Sequence, residues 1–188
     1  MSLVLLRHGE STWNESRQVQ GQSDSARLTP RGHEQAHEAA LALCEYDVTL
    51  IIASDLARAR ETAEIVGKVL GLTVLTSPAL RERSFGTFEG GPLGGLPSSE
   101  SGIADRHVID ASVHPSGGES LDELYGRVGV FLEEIRTLHE GARPLLVTHG
   151  GTIRALRAYC DGTAMSDVEW DPVTNCSIWR AELASVWR

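Results

Sequence analysis

Apolar and polar residues alternate along this chain in two rhythms. Short apolar or β-rich runs stand at residues 3–6, 49–53, 73–76 and 145–148. Each is bounded by polar or turn-forming residues and is too short for a helix. The pattern predicts strands covered on both faces, as in a parallel sheet. Between these runs the apolar spacing is helical. One helix is predicted from residue 30 to about residue 46, with Thr29 as N-cap, Pro30 in the first turn, and Ala36, Ala40 and Leu43 facing inward. A second opens at Ser54-Asp55 and reaches about residue 70. A third starts at the capping box Ser120-Leu-Asp-Glu123 and runs to about residue 139, with Leu121, Leu124, Val128, Phe131, Leu132 and Ile135 on its apolar face. A fourth covers residues 152–160. Looser alternation over residues 175–183 suits a last strand at a sheet edge.

Strands and helices therefore take turns, which predicts an α/β fold: a three-layer α/β/α sandwich around a mainly parallel sheet, built as one domain over residues 1–188. Two stretches break the rhythm. Residues 80–90 read as loop. Residues 90–118 are rich in Gly, Ser and Pro and read as a long surface excursion, with one short helix expected near residues 103–109.

Charge and cysteine content narrow the classes. A formal net charge of −9 over 188 residues argues against a nucleic-acid binder or a partner of acidic membranes. Any anion site must be a local cationic pocket in an acidic protein. Cys44, Cys160 and Cys176 are far apart, show no CxxC spacing and cannot all pair within the chain, as expected for a reduced cytoplasmic protein. No basic leader precedes the first apolar run, and no stretch is long enough to span a bilayer.

The candidate chemistry lies where strands end. The first run stops at Arg7-His8-Gly9, and residues 5–9, Leu-Leu-Arg-His-Gly, are echoed by residues 146–150, Leu-Val-Thr-His-Gly. If both strands are parallel, His8 and His149 emerge together at the carboxyl edge of the sheet, where ligands bind in open α/β folds. Arg58 falls in the first turn of the second helix. The free N–H groups of that turn favour an anion, and its guanidinium fits phosphate oxygens. Arg60, two residues on, faces elsewhere. Glu82, in Leu80-Arg81-Glu82-Arg83, is a carboxyl group able to protonate a leaving alkoxide; Glu10 and Glu89 are rivals for that task.

Arg7-His8-Gly9-Glu10 resembles the signature of the histidine phosphatase superfamily, the phosphoglycerate-mutase-like enzymes. Arg58, Glu82 and His149 follow in the order that family shows. The resemblance implies catalytic roles for His8, Arg7, Arg58, Glu82 and His149, with phosphate or substrate contacts from Arg7, Asn14, Gln20, Gly21, Arg58, Arg83, His149 and Gly150. It implies a phosphomonoester hydrolase that passes through a phosphohistidine on His8, with no metal or other cofactor. The expected partner is a small phosphomonoester, not nucleic acid or membrane; a homodimer is compatible with the sequence. A cofactor-dependent phosphoglycerate mutase is the alternative, although the family mutases are longer. The excursion at 90–118 departs from the family pattern and leaves the substrate open. A remote alternative comes from His33-Glu34-Gln35-Ala36-His37, which satisfies the HExxH pattern of zinc hydrolases.

Overall fold

The computed structural model describes residues 1–105 and 108–183. In chain order the elements are β1 (Ser2–Arg7), α1 (Thr12–Glu15), α2 (Pro30–Leu43), β2 (Leu50–Ser54), α3 (Ala57–Leu70), β3 (Val74–Ser77), α4 (Ser98–Ser101), β4 (Ile103–Asp105), β5 (Val108–Ile109), α5 (Leu121–Leu138), β6 (Pro144–Thr148), α6 (Gly150–Asp161) and β7 (Ile178–Glu182). The main sheet has the order β3-β2-β6-β1-β7. Its first four strands are parallel, and β7 closes the β1 edge antiparallel. No helix among the described residues is long and apolar enough to cross a membrane.

Strand periodicity sets the three layers. In β1, Leu3 and Leu5 point to one face and pack in the core with α5 and α6 residues such as Leu124, Val128, Ile153 and Leu156. Val4 and Leu6 point to the other and meet Ala40, Leu43, Ala63 and Val66 of α2 and α3. All four β1 residues are buried. Full burial of such side chains is worth about 1.5–3 kcal/mol each, so this strand anchors both cores at once. The alternation fixes its register, because a one-residue slip would exchange the two faces.

The excursion departs from expectation. The stretch expected to hold a short helix near residues 103–109 instead carries β4 and β5, a small antiparallel pair. Residues 106 and 107, within that expected helix, lie outside the described residues. The short helix falls earlier, at α4, and Gly102 ends it with φ +73°. The β-branched Ile103, Val108 and Ile109 favour extended backbone, which fits the outcome. The four-residue α1 was too short to show periodicity; its signal is the capping box between Ser11 and Asn14.

One close approach ties the sheet edge to α2. A Cβ on Gly32 would lie 2.1 Å from the Glu10 carbonyl oxygen, and one on Gly9 would lie 2.5 Å from the Gly32 carbonyl oxygen. Only glycines allow the segment after β1 to rest on the first turn of α2. We expect Gly32→Ala to destabilise the fold by more than 1 kcal/mol, on the order of other overpacking changes, and to lower turnover by displacing residues 8–10. Gly126 on α5 is exposed with open space around it, so Gly126→Ala should stabilise by about 0.4–1 kcal/mol. Urea unfolding and a phosphatase assay on both variants check the contrast; equal effects would contradict it.

Candidate active site

Parallel pairing of β1 with β6 places Arg7 opposite Thr148, and the His8 N–H donates to the Thr148 carbonyl at 2.9 Å. The next residues, His8 and His149, therefore leave the sheet side by side. Their ring centroids are 5.1 Å apart with planes at 60°. The echo read from the sequence is this pair.

His8 is held from every side. Its carbonyl accepts from the Asn175 side chain at 3.0 Å and from the Cys176 N–H at 3.3 Å. The Gly9 N–H donates to Thr62 at 3.0 Å. The ring Nδ1 lies 2.7 Å from the Gly9 carbonyl. A carbonyl can only accept, so Nδ1 carries the proton and Nε2 presents its lone pair. His149 caps α6 with extended backbone, and among the described residues neither of its ring nitrogens has a hydrogen-bond partner. Both histidines have pKa values well below the ordinary histidine range. Burial is the main cause, followed by the positive field of Arg58; Arg7 adds to it for both, and His8 adds to it for His149.

Arg58 is fully buried in the first turn of α3. Its Nη atoms donate to the carbonyls of Ser23 and Gly21 at 2.9 and 2.8 Å, which leaves Nε without a partner among the described residues. Burial lowers its pKa to about 10. Arg7 donates through Nη1 to the Val173 carbonyl, and its buried Nε likewise has no partner among the described residues. Two guanidinium N–H groups and an imidazole thus lie buried without partners close to the His8 ring. Unsatisfied buried donors are costly, and an anion with several acceptor oxygens would satisfy them together.

The local reason for Arg58 differs from the sequence-based expectation. The second helix begins at Ala57, not at Ser54-Asp55, and its first turn is not free for an anion. Asp24 fills that place, accepting from the Ala57 N–H at 2.6 Å. Asp55 instead pairs with Arg81 through two bonds of 2.7 and 2.5 Å. That pairing holds the Asp55 carboxyl below its usual pKa. The donor left open here is therefore on the Arg58 side chain, not at the helix end. Arg60 is exposed and sits 3.7 Å from Glu64.

Glu82 comes from the loop after β3 and meets the start of α6. One carboxyl oxygen accepts from Gly151 N–H at 3.0 Å; the other accepts from Thr152 N–H at 3.2 Å and from its own neighbour, Arg83 N–H, at 2.9 Å. Arg127 of α5 braces the loop, donating to the carbonyls of Ala79 and Arg81 at 2.7 and 3.0 Å while gripping Glu119 with two bonds of 2.8 Å. Glu10 and Glu89, the rival acids, are engaged elsewhere: Glu10 accepts from Thr29, and Glu89 from Gln22 and Phe85.

A cavity of about 300 Å³ opens over this floor, with Arg7, Asn14, Gln20, Gly21, Glu82 and Gly150 among its lining residues. His8, His149 and Arg58 are not part of its wall and are almost wholly buried. Asn14 accepts from Asn175 at 3.2 Å, Gln20 accepts from Ser11 at 2.8 Å, and the Gly21 carbonyl holds Arg58. Arg83 reaches the cavity, but its guanidinium is committed to the carbonyls of Glu119, Ser101 and Val113. That bonding ties the excursion down and leaves Arg83 poorly placed to grip a phosphate. Sequence reasoning missed Arg154, Asn175, Thr152 and Thr62. Arg154 alone carried a signal, standing one helical turn after Gly150.

The HExxH pair is exposed on α2, and His33 Nδ1 bonds the Thr29 carbonyl at 2.9 Å. Among the described residues no group of three or more His, Cys, Asp or Glu side chains is placed to share a metal ion.

A three-layer α/β fold with a tautomer-locked imidazole among buried guanidiniums defines an enzyme that handles phosphoryl groups. Comparison with known proteins gives the same class. The sequence profile of the histidine phosphatase superfamily, branch 1, matches residues 3–185, and the chain belongs to that superfamily. A probable phosphoglycerate mutase, GpmB, of Photorhabdus laumondii is 40% identical over 204 aligned residues, covering all of this chain and 90% of the relative. A mycobacterial glucosyl-3-phosphoglycerate phosphatase solved with VO3 superposes with TM-score 0.84 at 31% identity, covering 98% of this chain and 99% of that one. A phosphoserine phosphatase of Entamoeba histolytica, solved as a histidine-to-alanine mutant with phosphoserine, gives TM-score 0.82 at 25% identity, covering 95% and 89%. By family and by these structural neighbours the protein is a phosphatase-type enzyme.

The depressed histidines have a consequence for stability. With the folded-state pKa below the unfolded value near 6.5, the unfolded chain takes up protons first as pH falls. Stability is then present above about pH 6.5 and is lost below it, toward the folded-state pKa. Between pH 7.5 and 5.5 each such histidine should cost on the order of 1 kcal/mol. Urea unfolding in phosphate-free buffer should show that His149→Gln loses less stability over this interval than the wild type, by about that amount. Parallel losses would mean that His149 titrates normally.

Proposed function

We propose that the protein hydrolyses small phosphomonoesters through a covalent phosphohistidine on His8. The observation that carries this reading is the Gly9 bond to His8 Nδ1, which leaves Nε2 as a neutral nucleophile beside unpartnered guanidinium donors. His8 Nε2 attacks phosphorus in line while the ester P–O bond breaks, and the leaving oxygen takes a proton from Glu82. The Gly9 carbonyl supports the positive charge that develops on the ring. Arg7 Nε, Arg58 Nε and His149 hold the equatorial oxygens as charge shifts, the step from which phosphoryl-transfer enzymes gain most rate. Glu82, now a carboxylate steadied by the α6 N–H groups, takes a proton from water. That water attacks phosphorus, the P–N bond breaks and phosphate leaves. The arginines supply the positive charge, so no cofactor is needed. Free Cys44, Cys160 and Cys176 support a reducing, cytoplasmic setting.

The name of the Photorhabdus relative favours a second reading. A mutase would form the same phosphohistidine and return the phosphoryl group to a second substrate hydroxyl instead of water. Product analysis separates the two: free phosphate as the main product supports hydrolysis, and an isomerised monoester without phosphate release supports the mutase.

Two measurements test the chemistry. Rapid quenching without acid should trap labelled phosphate on the wild type as an acid-labile, base-stable adduct. His8→Ala should abolish the adduct and cut turnover by several orders of magnitude, because no neighbour is placed to attack in line. Label on His149 instead would exchange the two histidine roles.

Glu82→Gln should slow alkyl phosphates by about 10²–10⁴-fold. With nitrophenyl phosphate, whose leaving group departs as a stable anion, the loss should be far smaller. A uniform loss would assign Glu82 a structural role.

A further inference from the structure

We infer that Gln35 and Thr62 are positioning residues for the nucleophile: they pin the two peptides that flank Gly9 and so keep its carbonyl on His8 Nδ1. The inference deepens the phosphatase reading and rests on it for the role of His8.

Neutral histidine in water favours the proton on Nε2, so the tautomer that frees Nε2 for attack has to be imposed by a hydrogen bond at Nδ1. Here the Gly9 carbonyl imposes it at 2.7 Å. Gly9 itself is a poor support for that carbonyl. A Cβ on it would meet the Gly32 carbonyl oxygen at 2.5 Å, so the position requires glycine, and glycine carries the freest backbone of any residue. Something else must fix the plane of the peptide that follows it. In that planar, trans unit the Gly9 carbonyl and the Glu10 N–H point opposite ways. The Glu10 N–H donates to Gln35 Oε1 at 2.8 Å. Holding one end of the unit aims the other at the His8 ring.

Gln35 is half-buried on α2, one turn after Gly32, where residues 9 and 10 rest on the helix. It is the central residue of the HExxH stretch, whose two histidines and glutamate are exposed. The preceding peptide is pinned as well. The Gly9 N–H donates to Thr62 Oγ1 at 3.0 Å, and that hydroxyl donates to the Arg58 carbonyl at 2.7 Å. A hydroxyl has one proton and a carbonyl only accepts, so the direction of this chain of bonds is fixed. Thr62 is fully buried and stands one turn after Arg58 on α3. The backbone beside the nucleophile is therefore tied by one bond to α2 and by another to the helix that carries Arg58. Neither side chain lines the cavity, so each acts through Gly9 and not on substrate.

Nitrogen NMR of isotope-labelled histidines reads the tautomer, with the His8 signals assigned by their loss in His8→Ala. Wild type should show His8 protonated at Nδ1 and bare at Nε2. Gln35→Met keeps length and helix propensity but has no amide oxygen, and should shift the proton toward Nε2. Gln35→Glu keeps an acceptor oxygen and should hold the wild-type tautomer. Thr62→Val should move the proton in the same direction as Gln35→Met, whereas Thr62→Ser should not. Phosphoenzyme formation on nitrophenyl phosphate, whose leaving group needs no acid, should slow by about 3- to 10-fold in Gln35→Met, the effect of one ordinary hydrogen bond, while calorimetric binding of inorganic phosphate stays within about twofold. An unchanged tautomer in both Gln35→Met and Thr62→Val would overturn the inference. So would a loss of phosphate binding as large as the loss of phosphoenzyme formation, which would place the two residues in the fold or the phosphate cradle. A tautomer that shifts as expected, in a protein whose wild type forms no phosphoenzyme, would keep the pins and overturn the phosphohistidine reading.

Discussion

The parallel ladder between β1 and β6 is the constraint on which the site depends. These strands are separated by more than a hundred residues of sequence, yet they are neighbours at the middle of the sheet. Their register puts Arg7 against Thr148 and so sets His8 beside His149. A slip of one residue would turn the apolar residues of β1 to the wrong core and move one histidine away from the other. The hydrophobic energy that fixes the register therefore also fixes the placement of the two histidines. No separate device is needed to bring the two rings together. The supporting bonds from Thr62, Asn175 and Cys176 refine an arrangement the cores already impose.

Electrostatics completes what packing begins. The protein is acidic overall, but acids around the site are engaged by backbone N–H groups or by other arginines. Asp24 caps α3, Asp55 holds Arg81, and Glu119 holds Arg127. Among the described residues this arrangement leaves the Nε of Arg7, Arg58 and Arg154 without a partner. Burial discourages charge on the histidines, and the arginines discourage it further. The result is a pair of neutral imidazoles in a cationic setting, which suits attack on a phosphorus centre carrying negative oxygens.

Much of this was legible in the sequence. Short apolar runs and capped helices predicted the layers because both depend on local periodicity and on burial on two faces. The His-Gly echo predicted the pairing of His8 with His149 because strand ends in a parallel sheet share an edge. Other features were illegible for physical reasons. Asp24 as the cap of α3 is a contact across thirty-three positions, and no local pattern announces it. Arg83 and Arg58 look alike in sequence. One is bound at every nitrogen to carbonyls of the excursion and of the turn before α5, while the other keeps Nε free. The difference lies in where distant carbonyls point. The excursion itself lacks periodicity, so its β4 and β5 pairing could not be separated from a short helix.

The anchoring of the excursion by Arg83 has a wider consequence. One guanidinium gathers carbonyls from Ser101, Val113 and Glu119, and the start of the excursion is bonded to residues 17–19 through Gly90, Gly91 and Leu93. None of those points belongs to β1, β6 or α6. The excursion's share of the cavity wall and the histidine pair beneath it are thus held by different elements. Sequence change in the wall can reshape what the enzyme accepts without disturbing how it cleaves, and a scaffold divided in this way can be redirected to new compounds by small steps.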